Sequence, residues 1–186
     1  MKSKKILNII LNVLIVIGIV IIVNMAILKI FFVQVVINGR SMEPTLHGND
    51  VDGYDIGYMI RPSFKKIERF DIVAIHVDET NNWVKRIIGL PNEEVSYVDG
   101  KLYINGELMA EPFSKIEDDD LNIETIKLSS NQYFVIGDNR LNSDRKIAEK
   151  EDIFGVNGFI YSQCGYYDMI KNQCHDRCGI SIRAIK

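Results

Sequence analysis

The chain has 186 residues and a formal net charge of −3, and 47% of it is hydrophobic, with much of the apolar content near the N-terminus. This charge argues against a nucleic-acid partner held by a basic surface, and the length fits one domain plus an additional segment. The sequence contains no internal repeat and no low-complexity tract.

Lys2, Lys4 and Lys5 precede Ile6 to Leu28, 23 residues without a charge. At 1.5 Å per residue a helix of that length spans about 34 Å, enough for a hydrocarbon core of roughly 30 Å. A cleaved signal peptide would carry a shorter apolar region, about 7–15 residues, followed by a small-x-small cleavage site. Here Lys29-Ile30-Phe31-Phe32 follows instead. The stretch therefore reads as an uncleaved membrane anchor. The preceding lysines predict a cytoplasmic N-terminus, with the remainder on the outer side of the bilayer. Three parts follow: a cytoplasmic N-terminus and anchor over 1–29, a β domain over 30–162, and a Cys-containing tail without an assigned role over 163–186.

The β-branched run from Phe31 to Ile37 predicts a strand. It leads into Asn38-Gly39-Arg40-Ser41-Met42-Glu43-Pro44-Thr45-Leu46. Gly39 permits a tight bend and close approach by another backbone, and Pro44 restricts Glu43 to extended or turn geometry. Ser41, at the end of a strand beside a glycine, is placed as a nucleophile would be. Serine in such a bend is also an ordinary turn former, so the assignment needs a base.

Asp50 to Asp55 reads as a turn entering an exposed strand or loop. Phe70 to Val77 and Trp83 to Ile88 predict strands, the second closed by Gly89-Leu90-Pro91. Glu94 to Val98 and Lys101 to Ile104 flank Asp99-Gly100, a type I′ hairpin signal, and Asn105-Gly106 marks a second turn. Glu117 to Asp120 reads as a solvated acidic loop. Gln132 to Ile136 predicts a further strand running into Gly137-Asp138-Asn139-Arg140. Helical periodicity is poor beyond the anchor, so the fold class is mainly β, an antiparallel barrel-like domain.

The three histidines, His47, His76 and His175, lack a carboxylate at a recognisable spacing, so a Ser-His-Asp triad is unsupported. Lys85 is the better base. It falls within an apolar strand on the same face as Trp83 and Ile87 by period-two alternation. Desolvation disfavours its charged form, and a neutral amine can take the serine proton. By itself a strand lysine is more often a surface residue. The combination with Ser41 and the following blocks favours the base.

Ser41-Met42-Glu43-Pro44-Thr45-Leu46, Arg69-Phe70-Asp71-Ile72-Val73, Val84-Lys85-Arg86-Ile87-Ile88-Gly89-Leu90-Pro91, and Gly137-Asp138-Asn139-Arg140 with Ser143 come in one order behind the anchor. In these blocks the chain resembles bacterial type I signal peptidase over about residues 1–160. The resemblance implies a membrane-tethered serine endopeptidase that removes signal peptides from secreted preproteins with a Ser/Lys dyad. It implies that Ser41 is the nucleophile, Lys85 the general base, Ser143 the serine that orients the lysine, and Arg86 with Asp138 a supporting pair. It implies no cofactor and no metal. The oxyanion hole would use the Ser41 N–H; Gly39 stands where some members place a second, hydroxyl donor. An extended signal peptide would add as a strand beside Val35 to Arg40 and beside the Lys85 strand. Ile37, Gly39, Met42 and Val84 are the candidate pocket residues for its small side chains, with ordinary core packing as the other reading.

Two stretches depart from the resemblance. Ser143 is followed directly by Asp144-Arg145-Lys146, a register one residue short of the usual Asp-Ser-Arg ion-pair segment, so Asp144 and Arg145 are the candidate substitutes. The tail holds Cys164, Cys174, His175 and Cys178. Outside the cytoplasm three cysteines suggest one disulfide and one thiol, and the spacing C-x9-C-H-x2-C matches no familiar zinc pattern. Lysine rather than histidine at position 85 separates the chain from the endoplasmic-reticulum type of signal peptidase. A self-cleaving repressor would need a DNA-binding head that is absent from the sequence. The same residues would also suit a peptidase restricted to one client, such as a pilin or surface protein, or an inactive membrane-anchored assembly protein on the same scaffold.

Overall fold

The computed structural model describes residues 2–49, 53–113, 115–162, 167–168, 173–174 and 181–185. The chain divides into two compact units, Met1–Phe32 and Val33–Lys186. The first is α1 (Lys2–Phe31). Among the described residues it is the one helix long and apolar enough to cross a membrane, over Lys5–Phe31. Many of its residues are β-branched, which weakens helix propensity in water. In lipid every backbone group must be satisfied within the segment, and a helix does this. Asn24 follows the same rule, its amide donating to the Val20 carbonyl at 2.8 Å.

The second unit is built from β1 (Phe32–Val36), β2 (Gly48–Asn49), β3 (Gly53–Ile60), β4 (Ile72–His76) and β5 (Asn82–Gly89). Then come β6 (Glu94–Val98), β7 (Lys101–Ile104), β8 (Glu107–Leu108), β9 (Ile123–Lys127) and β10 (Gln132–Ile136). It closes with β11 (Arg145–Glu149), β12 (Ile153–Ser162), β13 (Tyr167–Asp168), β14 (Gln173–Cys174) and β15 (Ser181–Ile185). The larger sheet runs β1-β3-β12-β4-β5-β10-β11, and a smaller one runs β8-β7-β6-β9. The ladders are antiparallel, and the order ends at β1 and β11 without closing, so the domain is an open sheet rather than a complete barrel.

The expected turns are present. Asp99 and Gly100 have φ of 48° and 71°, and Asn105 and Gly106 have 53° and 81°, both residues of each pair on the positive side that a type I′ hairpin requires. One expectation is corrected where residues are described. In place of an exposed strand or loop, Gly53–Ile60 form β3, which lies inside the sheet between β1 and β12, with Asp55, Gly57 and Met59 buried. Its glycines and tyrosines dilute the apolar alternation that would have revealed it. The register of β12 shifts between Val156 and Gly158, with Asn157 at φ 39°. The Asn157 amide fills this bulge, accepting from the Ile72 N–H at 2.7 Å and donating to Asp71 at 2.6 Å. In the tail, β15 pairs with β12 from Gly158 to Ser162. Cys164, His175 and Cys178 lie outside the described residues, as does the side chain of Cys174.

The core has three parts. Ile37, Met42, Leu46, Met59, Ile72 and Ala74 pack beneath the Ser41 segment. Val73, Ile75, Ile87, Val135 and Val156 lie together in a second cluster. Ile88, Val95, Tyr97, Leu102, Phe134 and Ile136 join the small sheet to β5 and β10. With both faces of β5 covered, consecutive residues from Lys85 to Gly89 are buried, where a half-exposed strand would bury every second one.

Candidate active site

The segment after β1 is pinned on both flanks. The Ile37 N–H donates to the Asp55 carbonyl at 2.9 Å and the Gly39 N–H to the Gly48 carbonyl at 2.6 Å, with Gly39 at φ 91°. Beyond Ser41 the chain turns tightly, Leu46 N–H donating to the Met42 carbonyl at 2.9 Å, and buries Met42 and Leu46 in the core below. Two apolar anchors and two backbone bonds thus fix a short irregular segment that lacks sheet pairing of its own. Among the described residues nothing accepts the Ser41 N–H, and the Ser41 hydroxyl makes no hydrogen bond.

A second loop, following β10, clasps the first. The Asn139 N–H donates to the Ser41 carbonyl at 3.0 Å, and its side-chain amide donates to the Arg40 carbonyl at 3.1 Å. The Thr45 hydroxyl donates to Asp138 at 2.5 Å. Gly137 permits this approach: a Cβ there would lie 2.1 Å from the Ser41 carbonyl oxygen and 2.4 Å from Ser143 Oγ.

β5 contributes two buried cations. Arg86 is 1% exposed and forms a fork on Asp138, Nε to Oδ1 at 2.7 Å and Nη2 to Oδ2 at 2.6 Å; its third nitrogen donates to the Phe70 carbonyl at 2.7 Å. With Thr45 on the same carboxylate, Asp138 has its charge compensated and its oxygens occupied. Lys85 is 4% exposed and has no ion pair among the described residues. Its ammonium lies 5.2 Å from the centroid of the Trp83 ring. Burial, opposed by the more distant charges of Asp144 and Asp138, pushes the Lys85 pKa down from 10.5 to about 8.

Lys85 Nζ donates to Ser143 Oγ at 3.0 Å. The same oxygen accepts from the Gly137 N–H at 2.7 Å and donates to the Asp144 carbonyl at 2.9 Å. A serine hydroxyl has one hydrogen and two lone pairs, so Ser143 is saturated and can only accept from Lys85. The lone pair of a neutral Lys85 is therefore left for another proton.

Ser41 and Lys85 line one pocket of about 210 Å³. Ile37, Met42 and Val84 line it as well, joined by Trp83, Asn38, Asn82 and Asn142. Gly39 does not line it. Met42 and Ile37 line this cavity and belong to the core beneath it as well. Neither His47 nor His76 lines the pocket; His47 lies 3.8 Å from Asp55, and His76 is stacked on Phe154. His175 lies outside the described residues. Asp144 stands on the pocket rim and makes no ion pair with Arg145 among the described residues.

Sequence reasoning passed over a second buried ion pair. Arg140 donates to Glu111 at 2.5 Å, to the Tyr97 hydroxyl at 2.7 Å and to the Gly137 carbonyl at 3.0 Å. Arg140 belongs to a motif block, but no local pattern singles out Glu111 or Tyr97. It also passed over Thr45 and Asn139, whose partners are 93 and 99 residues away.

An antiparallel domain that brings a serine and a buried lysine to one cleft has the parts of a serine-type hydrolase. The family described as signal peptidase, peptidase S26, matches residues 7–160. A signal peptidase I of Bacillus amyloliquefaciens is 34% identical over 160 residues, 77% of this chain and 84% of the relative. Signal peptidase I S of Bacillus subtilis (strain 168) is 34% identical over 164 residues, 77% of this chain and 85% of the relative. A crystal structure of a signal peptidase I from Enterococcus faecalis V583, 33% identical, covers 50% of this chain and 97% of its own, with a TM-score of 0.43. The chain belongs to the signal peptidase family, peptidase S26, and is a serine endopeptidase.

Proposed function

We propose that this signal peptidase cuts preproteins with Ser41 as nucleophile and Lys85 as general base. Neutral Lys85 takes the Ser41 proton as Oγ attacks the carbonyl carbon of the scissile bond. The negative charge that develops on the carbonyl oxygen faces the unengaged Ser41 N–H. The protonated lysine then passes its proton to the leaving amine, and the acyl group on Ser41 is released by a water that Lys85 deprotonates in turn. Ser143 holds the amine by accepting one of its hydrogens, and Arg86 with Asp138 braces the loop that carries Ser143.

The observation that carries this reading is Lys85 itself. It is a buried amine without a carboxylate partner among the described residues, its pKa is lowered to about 8, and it shares a pocket with a serine whose hydroxyl is unengaged. Unpaired buried lysines are costly, and a base working near neutral pH is a reason to keep one. The substrate enters as an extended strand along β1 and β5, placing small side chains against Ile37, Met42 and Val84. Such shallow walls favour alanine-sized residues at the first and third positions before the cut. α1 holds the domain at the bilayer, with the lysines at its start on the cytoplasmic side and the domain on the outer side.

The test is cleavage of a secretory preprotein by the purified full chain in detergent, beside Ser41→Ala. Cleavage at the small-x-small site by the native chain alone supports the reading. Cleavage by both proteins refutes Ser41 as nucleophile.

A further inference from the structure

The segment between β8 and β9 leaves the small sheet and lies against the loop after β10. The Ile116 N–H donates to the Asp138 carbonyl at 2.9 Å, and the Arg140 N–H donates to the Ile116 carbonyl at 2.9 Å. The same segment carries Glu111 and Phe113. Glu111 meets Arg140 with both side chains buried, 3% and 2% exposed. The Phe113 ring centroid lies 4.1 Å from the Arg86 guanidinium carbon and 5.9 Å from that of Arg140. One aromatic ring thus backs both of the arginines that hold the loop.

Every Arg140 contact is assigned. Nη2 donates to Glu111, Nη1 to the Tyr97 hydroxyl, and Nε to the Gly137 carbonyl. Gly137 is then held from two directions, its carbonyl by Arg140 and its N–H by Ser143 Oγ. Ser143 Oγ in turn accepts from Lys85 Nζ. A continuous chain of hydrogen bonds runs from Glu111 through Arg140, Gly137 and Ser143 to Lys85.

We infer that Glu111 is a positioning residue for cleavage, acting through Arg140 and Gly137 on Ser143 and hence on the Lys85 amine. The inference rests on the Ser41/Lys85 reading. Glu111 touches neither the pocket nor the candidate nucleophile. Its carboxylate compensates the charge that lets Arg140 grip the Gly137 carbonyl inside the protein. With that charge removed, a buried guanidinium is left unpaired and turns toward other acceptors. Gly137 and Ser143 are then free to drift. A misplacement of about 1 Å at a reacting group can cost about a hundredfold in rate. Glu111, Arg140 and Gly137 line no part of the pocket walled by Ile37, Met42 and Val84, so substrate binding there should change little.

The test uses the full-length protein in detergent, with a preprotein ending its signal peptide in a small-x-small site, at a temperature where near-UV circular dichroism reports the native fold. Glu111→Gln is expected to lower kcat about ten- to a hundredfold with KM within about twofold. In a Ser143→Ala background the same substitution should cost no further kcat, because its effect runs through Ser143. A wild-type kcat, or losses that multiply in the double variant, overturn the proposal, since a purely structural role would not vanish with Ser143. Tyr97→Phe keeps the ion pair and removes only the phenol's bonds. It is expected to lower kcat about threefold, and it carries the test if Glu111→Gln does not fold, a wild-type kcat then overturning the proposal. Cleavage by Ser41→Ala in the same assay would overturn the dyad reading and this inference together. Inactive Ser41→Ala beside fully active Glu111→Gln would overturn this inference alone.

Discussion

Lys85 and Arg86 are neighbours on β5, are buried to nearly the same degree and point to opposite faces of the sheet. On one face Arg86 is fully compensated. Asp138 takes both prongs of its fork, the Phe70 carbonyl takes a third bond, and the Phe113 ring closes the site. On the other face Lys85 has one serine oxygen, one tryptophan ring and a pocket. The paired cation holds loops in place. The solitary one has its pKa pushed down by burial, with no ion-paired carboxylate among the described residues to offset it. On the proposed reading, it is burial without a carboxylate, rather than burial alone, that suits a lysine to act as a base.

On the proposed reading, the largest expected effect comes from breaking the Lys85 face. Lys85→Met, which keeps the volume and removes the amine, should lower kcat about 10⁴-fold or more while the chain stays folded, as measured by single-turnover cleavage and circular dichroism. The next breaks the paired face. Asp138→Ala leaves the Arg86 guanidinium buried and alone, and should destabilise the domain by about 3–5 kcal/mol in denaturant unfolding. Lys85→Met should do the reverse to stability. The Lys85 pKa falls from 10.5 unfolded to about 8 folded, so the native state binds fewer protons between those values. Stability contributed by this group rises with pH across that window, and below about pH 8 the full penalty applies. Removing the amine should therefore stabilise the domain at pH 7 by on the order of 2 kcal/mol, a figure reduced from the whole shift for solvent screening. A melt showing no gain would mean that the amine is not desolvated.

Smaller effects sharpen the contrast. Cleavage limited by chemistry should fall about tenfold per pH unit below about pH 8, as Lys85 takes up its proton. Asp144 raises the Lys85 pKa, so Asp144→Asn should move the midpoint of that limb downward by a fraction of a unit. An upward move would assign the limb to another group.

The parts of this architecture that announce themselves locally were readable. β4, β5 and β10 are apolar β-branched runs, and the hairpins of the small sheet are written in Asp99-Gly100 and Asn105-Gly106. Strands defined by their partners were not. β11 reads Arg145-Lys146-Ile147-Ala148-Glu149, charged as an edge strand should be and easily taken for helix or loop. β9 carries two charges in five residues and owes its place to pairing with β6. In the site, Ser41, Lys85, Ser143, Arg86 and Asp138 come from motif blocks in order. Glu111 stands in no block, and its role depends on an arginine 29 residues away. Long-range charge compensation leaves no periodic trace.

Gly137 offers no reactive group, yet its missing side chain is the gap through which the Ser41 backbone and the Ser143 hydroxyl come together. One methyl group there would act as a wedge between the Ser41 segment and the loop that carries Ser143. On the proposed dyad reading, a genetic screen for lost secretion would return Gly137→Ala beside changes at Ser41 and Lys85, and a catalogue of such alleles would mistake a spacer for a reagent.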